Sequence, residues 1–127
     1  MTSDLNLLAG WAGLLLGCLF GAASGLFFQA ENWLGGYASW PRRMLRLAHV
    51  SFFGLGFINI AFALTARQLA LSEGLLWPSA LLIVGAAGMP LVCAVSAFHK
   101  PVRHLFAIPV LSVIGALGLF LWRLWAG

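Results

Sequence analysis

Three histidines are the side chains of this sequence best suited to cofactor chemistry. His49, His99 and His104 all approach the same side of the predicted membrane domain, among several basic residues that include Arg46 and Arg103. Histidines from facing helices are common axial ligands of haem b, and interfacial arginines can pair with its propionates. These five residues therefore predict a haem b or quinone site, although an anionic lipid headgroup would suit them too. The alternative is that the histidines only hydrogen-bond to loop carbonyls and headgroups.

Other chemistry finds little support in the residue pattern. Met89, Cys93 and Ser96 share a helical face, but no second set of soft ligands lies opposite, so core packing is favoured over a Cu(I) site. The sequence contains no paired-carboxylate or HExxH motif, and no nucleophile and base in a shared motif. No catalytic residue and no metal site are predicted, and independent enzymatic activity is not expected.

The composition requires a membrane environment for the elements that carry these residues. The 127 residues are 62% hydrophobic and 8% charged, with a mean hydropathy of +1.00. Soluble domains have about 45 to 50% apolar and about 25% charged residues. We therefore expect a single transmembrane domain over residues 1–127, in the all-α class: an integral membrane four-helix bundle with short loops.

The gaps between charged residues define the predicted spans. Four gaps can cross a hydrocarbon core of ~30 Å at 1.5 Å per helical residue. They cover residues 5–28, 47–66, 74–98 and 104–122. None shows the alternation of a membrane β-strand.

The distribution of basic residues predicts the orientation of these spans. One side carries five basic residues against a lone Glu31: Arg42, Arg43, Arg46, Lys100 and Arg103. Because short basic loops stay in the cytoplasm, both termini are expected in the periplasm of a bacterial inner membrane. The same residues explain the net charge of +4 through topology and lipid headgroups, so nucleic acid is not an expected partner.

Small residues recur along the first span in a pattern typical of close helix packing. Gly13, Gly17, Gly21 and Gly25 are spaced four apart, like a glycine zipper. In lipid such a stripe lets another backbone approach closely and gain dispersion contacts. The neighbouring helix belongs either to this chain or to another subunit, and the sequence leaves both readings open.

The second span has a recognisable start and one polar side chain at membrane depth. Ser39 or a neighbour is expected to cap a helix that begins at Pro41. His49 shares a face of that helix with four residues: Phe52, Phe53, Gly56 and Ile60. Asn59 lies beside this face, and its amide is expected to form hydrogen bonds across a helix interface.

The stretch Arg46–Phe57 resembles the start of haem-ligating helices in membrane proteins related to haem-copper oxidases. The resemblance implies that His49 is a haem ligand. It departs from the family at Ser51, where some of those helices carry a second histidine.

Two function classes follow from these patterns. The first is a small structural or accessory subunit of a larger membrane complex, in particular an energy-converting or electron-transfer one, with lipids and other membrane subunits or further copies of the chain as partners. The second is a haem- or quinone-binding redox protein that uses the basic-side histidines.

Overall fold

The computed structural model describes residues 2–126, and for Thr2 its backbone alone. Four long helices account for most of the chain, and the described residues form no strand. They are α1 (Thr2–Phe28), α2 (Trp40–Gln68), α3 (Leu76–Phe98) and α4 (Ala107–Ala126). All four are long and apolar enough to cross a membrane, α4 together with the 3-10 segment Lys100–Phe106 that precedes it. The chain is therefore an all-α integral membrane four-helix bundle, as the charge gaps predicted.

Three of the helices, α1, α2 and α4, extend beyond the predicted spans at one end or both, whereas α3 lies within its predicted span. α2 begins at Trp40, seven positions before the predicted span at residue 47, so Arg42, Arg43 and Arg46 belong to its first turns. Ser39 caps this helix as expected, because its hydroxyl accepts a hydrogen bond from the backbone N–H of Arg42. Pro41 occupies the first helical turn, where its missing N–H costs nothing. The charge gaps therefore mark the apolar core, and they match the helix ends only at Phe28 and Phe98.

The central pair of the bundle is α2 and α3, with α1 and α4 on opposite sides of it. α1 packs on α2 and α3, whereas α4 packs mainly on α3. Most of the surface of α1 and α4 consequently faces outward. A hydrophobic cluster at the end that carries the termini joins α2, α3 and α4: Phe62, Ala66, Leu75, Leu82, Ala116 and Phe120. The rings of Phe62 and Phe120 meet edge to face, with 4.7 Å between their centroids.

Glycines allow close approach of the two backbones in the α1 and α2 contact. A Cβ atom on Gly10 would lie 2.7 Å from the carbonyl oxygen of Gly56, and one on Gly17 would lie 2.8 Å from the ring of Phe53. Gly13 faces the carbonyl of Phe52 at 3.4 Å. Atoms of α2 therefore lie close to the glycine-containing face of α1 over most of its length. Gly25 differs, because a Cβ there would meet nothing within 4 Å.

Candidate functional site

Side chains with hydrogen-bonding groups collect at three places in the bundle. One is a buried cluster near the end that carries the termini, and the other two are at the basic end: the start of α2, and two cavities that open between helices. The predicted site residues lie at the basic end.

The buried cluster joins three helices through Asn6, Asn59 and Ser79. The amide of Asn6 donates to the side-chain oxygen of Asn59 at 2.7 Å and to the backbone oxygen of Ser79 at 3.3 Å. The Ser79 hydroxyl in turn donates to the Asn6 side-chain oxygen. All three residues are buried. These contacts confirm that Asn59 makes interhelical hydrogen bonds.

Asn59 accepts from Asn6 through its side-chain oxygen and also uses its amide N–H donors within this region. Its amide donates to the carbonyl of Leu55 at 2.9 Å in its own helix, and to that of Leu82 in α3 at 3.4 Å. Every amide of the cluster is therefore engaged in holding α1, α2 and α3 together. Asn6 was not predicted from the sequence because it lies two residues after Asp4, in the polar start of the chain. The available signal was an amide one helical turn inside α1.

Arg42 at the start of α2 is buried and binds the end of α1. Its guanidinium donates to the carbonyl of Phe28 at 3.0 Å, to that of Glu31 at 2.9 Å and to that of Ala30 at 3.4 Å. Its Cζ atom lies 4.6 Å from the centroid of the Phe28 ring. Helix C-termini expose unpaired carbonyls and carry partial negative charge, so this cation both caps α1 and fixes the loop that follows it. Arg42 reaches the backbone of Glu31 and not its carboxylate.

Trp40 connects α2 to α3 at the same end of the bundle. Its indole N–H donates to the carbonyl of Ser96 at 2.7 Å. Ser96 is fully buried and so is Cys93, one turn earlier in α3. Among the described residues no group of three or more His, Cys, Asp or Glu side chains could hold a metal ion.

His49 faces α1 across the glycine-rich contact. Its Nδ1 lies 3.1 Å from the carbonyl oxygen of Gly17, and because a carbonyl only accepts, this nitrogen carries the proton of the hydrogen bond. The ring also covers Gly21, where an added Cβ would collide with it, and meets the ring of Phe53 edge-on at 5.2 Å between centroids. The face predicted to hold His49 is therefore the face on which α1 packs.

A small cavity borders this histidine, and Arg46 lies at it. It has a volume of about 220 Å³ and is lined by Gly21, Ser24, Gly25, Phe28, Leu45, Arg46 and His49. The guanidinium of Arg46 donates to the carbonyl of Tyr37 at 3.0 Å, and its Cζ atom stands 4.1 Å from the centroid of the Tyr37 ring. Protein groups thus already engage Arg46 and the Nδ1 of His49.

A larger opening, here called the α2–α4 groove, lies between these two helices at the basic end. It has a volume of about 920 Å³. Its lining is almost wholly apolar along α2 and α4, with Met89 of α3 also contributing, and Trp40, Arg103 and His104 are its members at the basic end. His49 is not among its lining residues. The structure thus divides the predicted site into Arg46 with His49 at one cavity and Arg103 with His104 at another.

His99 belongs to neither pair. It ends α3, where its backbone N–H donates to the carbonyl of Val95 at 2.9 Å, and it lines neither cavity. The three histidines lie on the same side of the membrane but point in different directions around their helices. Their shared side was therefore not enough to predict that they meet at one site.

A third cavity, here called the α1–α3 groove, has unusually small side chains. It has a volume of about 440 Å³, and seven of its lining residues are glycine or alanine: Ala9, Ala12, Gly13, Gly56, Ala86, Ala87 and Ala94. Ala12 and Ala87 are exposed on its two sides. Small residues on both sides of an intramembrane groove permit close approach of a further apolar helix.

The chemistry available at these places is that of packing, capping and headgroup contact. Histidine and arginine side chains at the two basic-end cavities can donate hydrogen bonds to an anion or a polar headgroup. At the end that carries the termini, the side-chain amides of Asn6 and Asn59 already form hydrogen bonds within the bundle. Comparison of the chain with models of protein families, with curated proteins and with solved structures finds no significant match.

Proposed function

We propose that this protein is a small structural subunit of a larger membrane complex. The observation that carries the proposal is the α1–α3 groove, where Ala12 of α1 and Ala87 of α3 are exposed beside other small residues. Helix association in lipid depends on close packing, because lipid tails solvate apolar side chains as well as a neighbouring helix does. A helix from a partner, or from a second copy of the chain, would gain dispersion contacts in this groove.

Three buried polar residues that are engaged within the chain support the same role. Asn6, Asn59 and Arg42 hydrogen-bond to other parts of this chain. Groups engaged in this way stabilise a rigid scaffold and are not directed at a substrate. The resemblance of the helix around His49 to haem-ligating helices favours an energy-converting or electron-transfer complex as the setting.

Small-to-large substitutions in the α1–α3 groove test the proposal. Ala12→Leu and Ala87→Leu should abolish co-purification of partners, or of tagged with untagged copies, from native membranes in mild detergent. Ala61→Leu is the matched control, because Ala61 is exposed on α2 and lines no described cavity. Helical circular dichroism should be unchanged in all three. Assembly that survives both groove substitutions would refute the subunit role of this surface.

The haem or quinone alternative has weaker support from the geometry. His49 contacts α1 whereas His104 lines the α2–α4 groove, so ligation of one iron by both would require at least one of the two side chains to leave its present position. The visible spectrum of the purified protein separates the two functions. A Soret band that disappears in His49→Ala would establish haem binding through His49, whereas a protein that shows no Soret shift after addition of haem would exclude haem as its cofactor.

We further propose that the membrane is a bacterial inner membrane and that both termini face the periplasm. The basic end carries Arg43, Lys100 and Arg103 beside the partnered Arg42 and Arg46, whereas at the opposite end Arg67 pairs with Asp4. Cysteines introduced at Ser39 and Ser72 should therefore react with an impermeant reagent from opposite sides, Ser72 from the periplasm. Labelling of both from one side would contradict the orientation and the four spans together.

A further inference from the structure

The α2–α4 groove has the length and the polarity of a site for one lipid molecule. Its lining on α2 runs from Trp40 to Ile58, which is about 27 Å at 1.5 Å per residue. One leaflet forms about half of a ~30 Å hydrocarbon core. The groove is longer than this, so its remaining length extends into the membrane interface. The volume of about 920 Å³ falls within the range of about 300 to 1,000 Å³ typical of small-molecule sites.

The apolar part of the groove is open enough for an acyl chain. A Cβ atom added to Gly54 on the α2 side would meet nothing within 4 Å. Val110, Val113 and Ile114 of α4 face it from the other wall. Met89 of α3 contributes to the lining between the two helices, and its flexible side chain adapts to irregular apolar shapes. These residues offer dispersion contacts but no hydrogen bonds to an occupant.

The polar part of the groove carries unpaired positive charge. Four of the seven basic residues have protein partners: Arg42, Arg46, Arg67 and Arg123. Arg103 differs from these four, because within residues 2–126 its side chain makes no hydrogen bond or ion pair, and the groove lining contains no acidic residue to neutralise it. His104 beside it is likewise exposed and without a protein hydrogen bond in the described part of the chain.

The other polar groups of the groove are already engaged. The indole of Trp40 donates to Ser96, and the hydroxyl of Ser51 donates to the carbonyl of Ala48 at 2.8 Å. Recognition in the groove therefore falls to Arg103 and His104, which are donors for an anionic oxygen at the membrane surface.

We propose that the α2–α4 groove binds one anionic phospholipid of the basic-side leaflet, with its phosphodiester at Arg103 and His104 and an acyl chain along Gly54. The charge complementarity selects an anionic headgroup over a neutral quinone ring, since the guanidinium gains a charge-assisted hydrogen bond to phosphate. The site does not depend on whether the chain belongs to a complex.

Native mass spectrometry of the detergent-solubilised full chain tests the proposal. Phosphatidylglycerol and phosphatidylcholine with the same acyl chains are added separately, and the occupancy of a single lipid adduct is measured. The wild-type protein should bind phosphatidylglycerol about tenfold more tightly than phosphatidylcholine. Equal affinity for the two lipids, or binding of many phosphatidylglycerol molecules without a first tight one, would overturn the proposal.

Two variants with matched controls locate the lipid. Arg103→Gln should lower the affinity for phosphatidylglycerol about fivefold to tenfold and that for phosphatidylcholine less, because the choline ammonium already offsets the charge of the phosphodiester. Lys100→Gln, at a neighbouring basic residue outside the groove lining, should have little effect on either lipid. Gly54→Leu should weaken the binding of both lipids, because its side chain would fill the apolar part of the groove. Gly118→Leu is the control, because a Cβ at Gly118 also meets nothing within 4 Å but Gly118 lies outside this groove.

If both Arg103→Gln and Gly54→Leu bind phosphatidylglycerol as tightly as the wild type does, the lipid does not lie in the α2–α4 groove. The organic extract of the purified protein should also contain an anionic phospholipid at about one per chain. A quinone in its place, recognised by a redox-dependent ultraviolet spectrum, would equally overturn the assignment.

Discussion

Replacement of Arg42 by methionine should destabilise the protein much more than the same replacement at the adjacent Arg43. Arg42 is 4% exposed and makes two good hydrogen bonds, to the carbonyls of Phe28 and Glu31, and a longer one to Ala30. Arg43 is exposed and makes no hydrogen bond through its side chain within the described residues. The two substitutions remove the same charge from the same turn of α2, so their difference isolates the capping contacts.

The expected cost follows from these contacts. Hydrogen bonds of charged groups contribute about 1.5 to 3 kcal/mol each, and the stacking of Arg42 on Phe28 adds roughly 0.5 to 1 kcal/mol. Water at the membrane interface partly replaces the lost donors for the released carbonyls, and the methionine retains some packing. The net loss in the free energy of unfolding should therefore be about 2 to 4 kcal/mol for Arg42→Met. For Arg43→Met it should stay within about 0.5 kcal/mol, as for other surface sites.

Reversible unfolding in mixed micelles with increasing sodium dodecyl sulfate measures both values. Limited proteolysis of the loop at residues 29–39 gives a second readout, because the loop should be cut faster when Arg42 no longer holds its carbonyls. Arg42→Lys keeps the charge but not the planar guanidinium with its several donors, so its loss of stability should lie between that of the wild type and that of Arg42→Met. Equal stability losses at Arg42 and Arg43, or none at Arg42, would refute this account of the cap.

Two further substitutions probe the helix contacts. Gly17→Leu should destabilise the protein by about 1 to 3 kcal/mol in the same unfolding assay, because a Cβ at Gly17 would already lie 2.8 Å from a ring carbon of Phe53. Gly25→Leu is the control and should be nearly neutral, because a Cβ at Gly25 meets nothing within 4 Å. An unchanged stability of Gly17→Leu would contradict the close packing of α1 on α2. Asn59→Leu should lower the free energy of unfolding by about 0.6 to 1.7 kcal/mol. The double variant with Asn6→Leu should lose less stability than the sum of the two single variants, because the two residues share the 2.7 Å hydrogen bond. Strictly additive losses would argue against that bond.

The number and class of the helices could be predicted from the sequence because a bilayer imposes a simple rule. Each crossing must satisfy its backbone hydrogen bonds internally and be about 20 apolar residues long, so gaps between charges reveal it. The cap at Ser39 and the face shared by His49 and Gly56 were also predictable, since both depend on local spacing along one helix. These features require no knowledge of which helices are neighbours.

The arrangement of the polar residues was not predictable, because it depends on how helices are rotated relative to one another. Nothing local distinguishes Arg42 from Arg43, and only the position of the α1 terminus makes one a buried cap and leaves the other exposed. His49 and His104 share a side of the membrane, yet one turns toward α1 and the other borders α4. A cofactor site inferred from depth alone therefore combined residues that the bundle separates.

The two ends of the bundle differ in how α4 is held. α4 packs on α3 where Gly85 and Gly88 admit Val113 and Pro109, and it meets α2 near the end that carries the termini through the rings of Phe62 and Phe120. At the basic end the α2–α4 groove separates the same two helices. A molecule that binds there stabilises the folded state by mass action, because the groove does not exist in the unfolded chain. The position of α4 should consequently respond to the lipid composition of the membrane more than that of α1, which the glycine contact holds directly against α2.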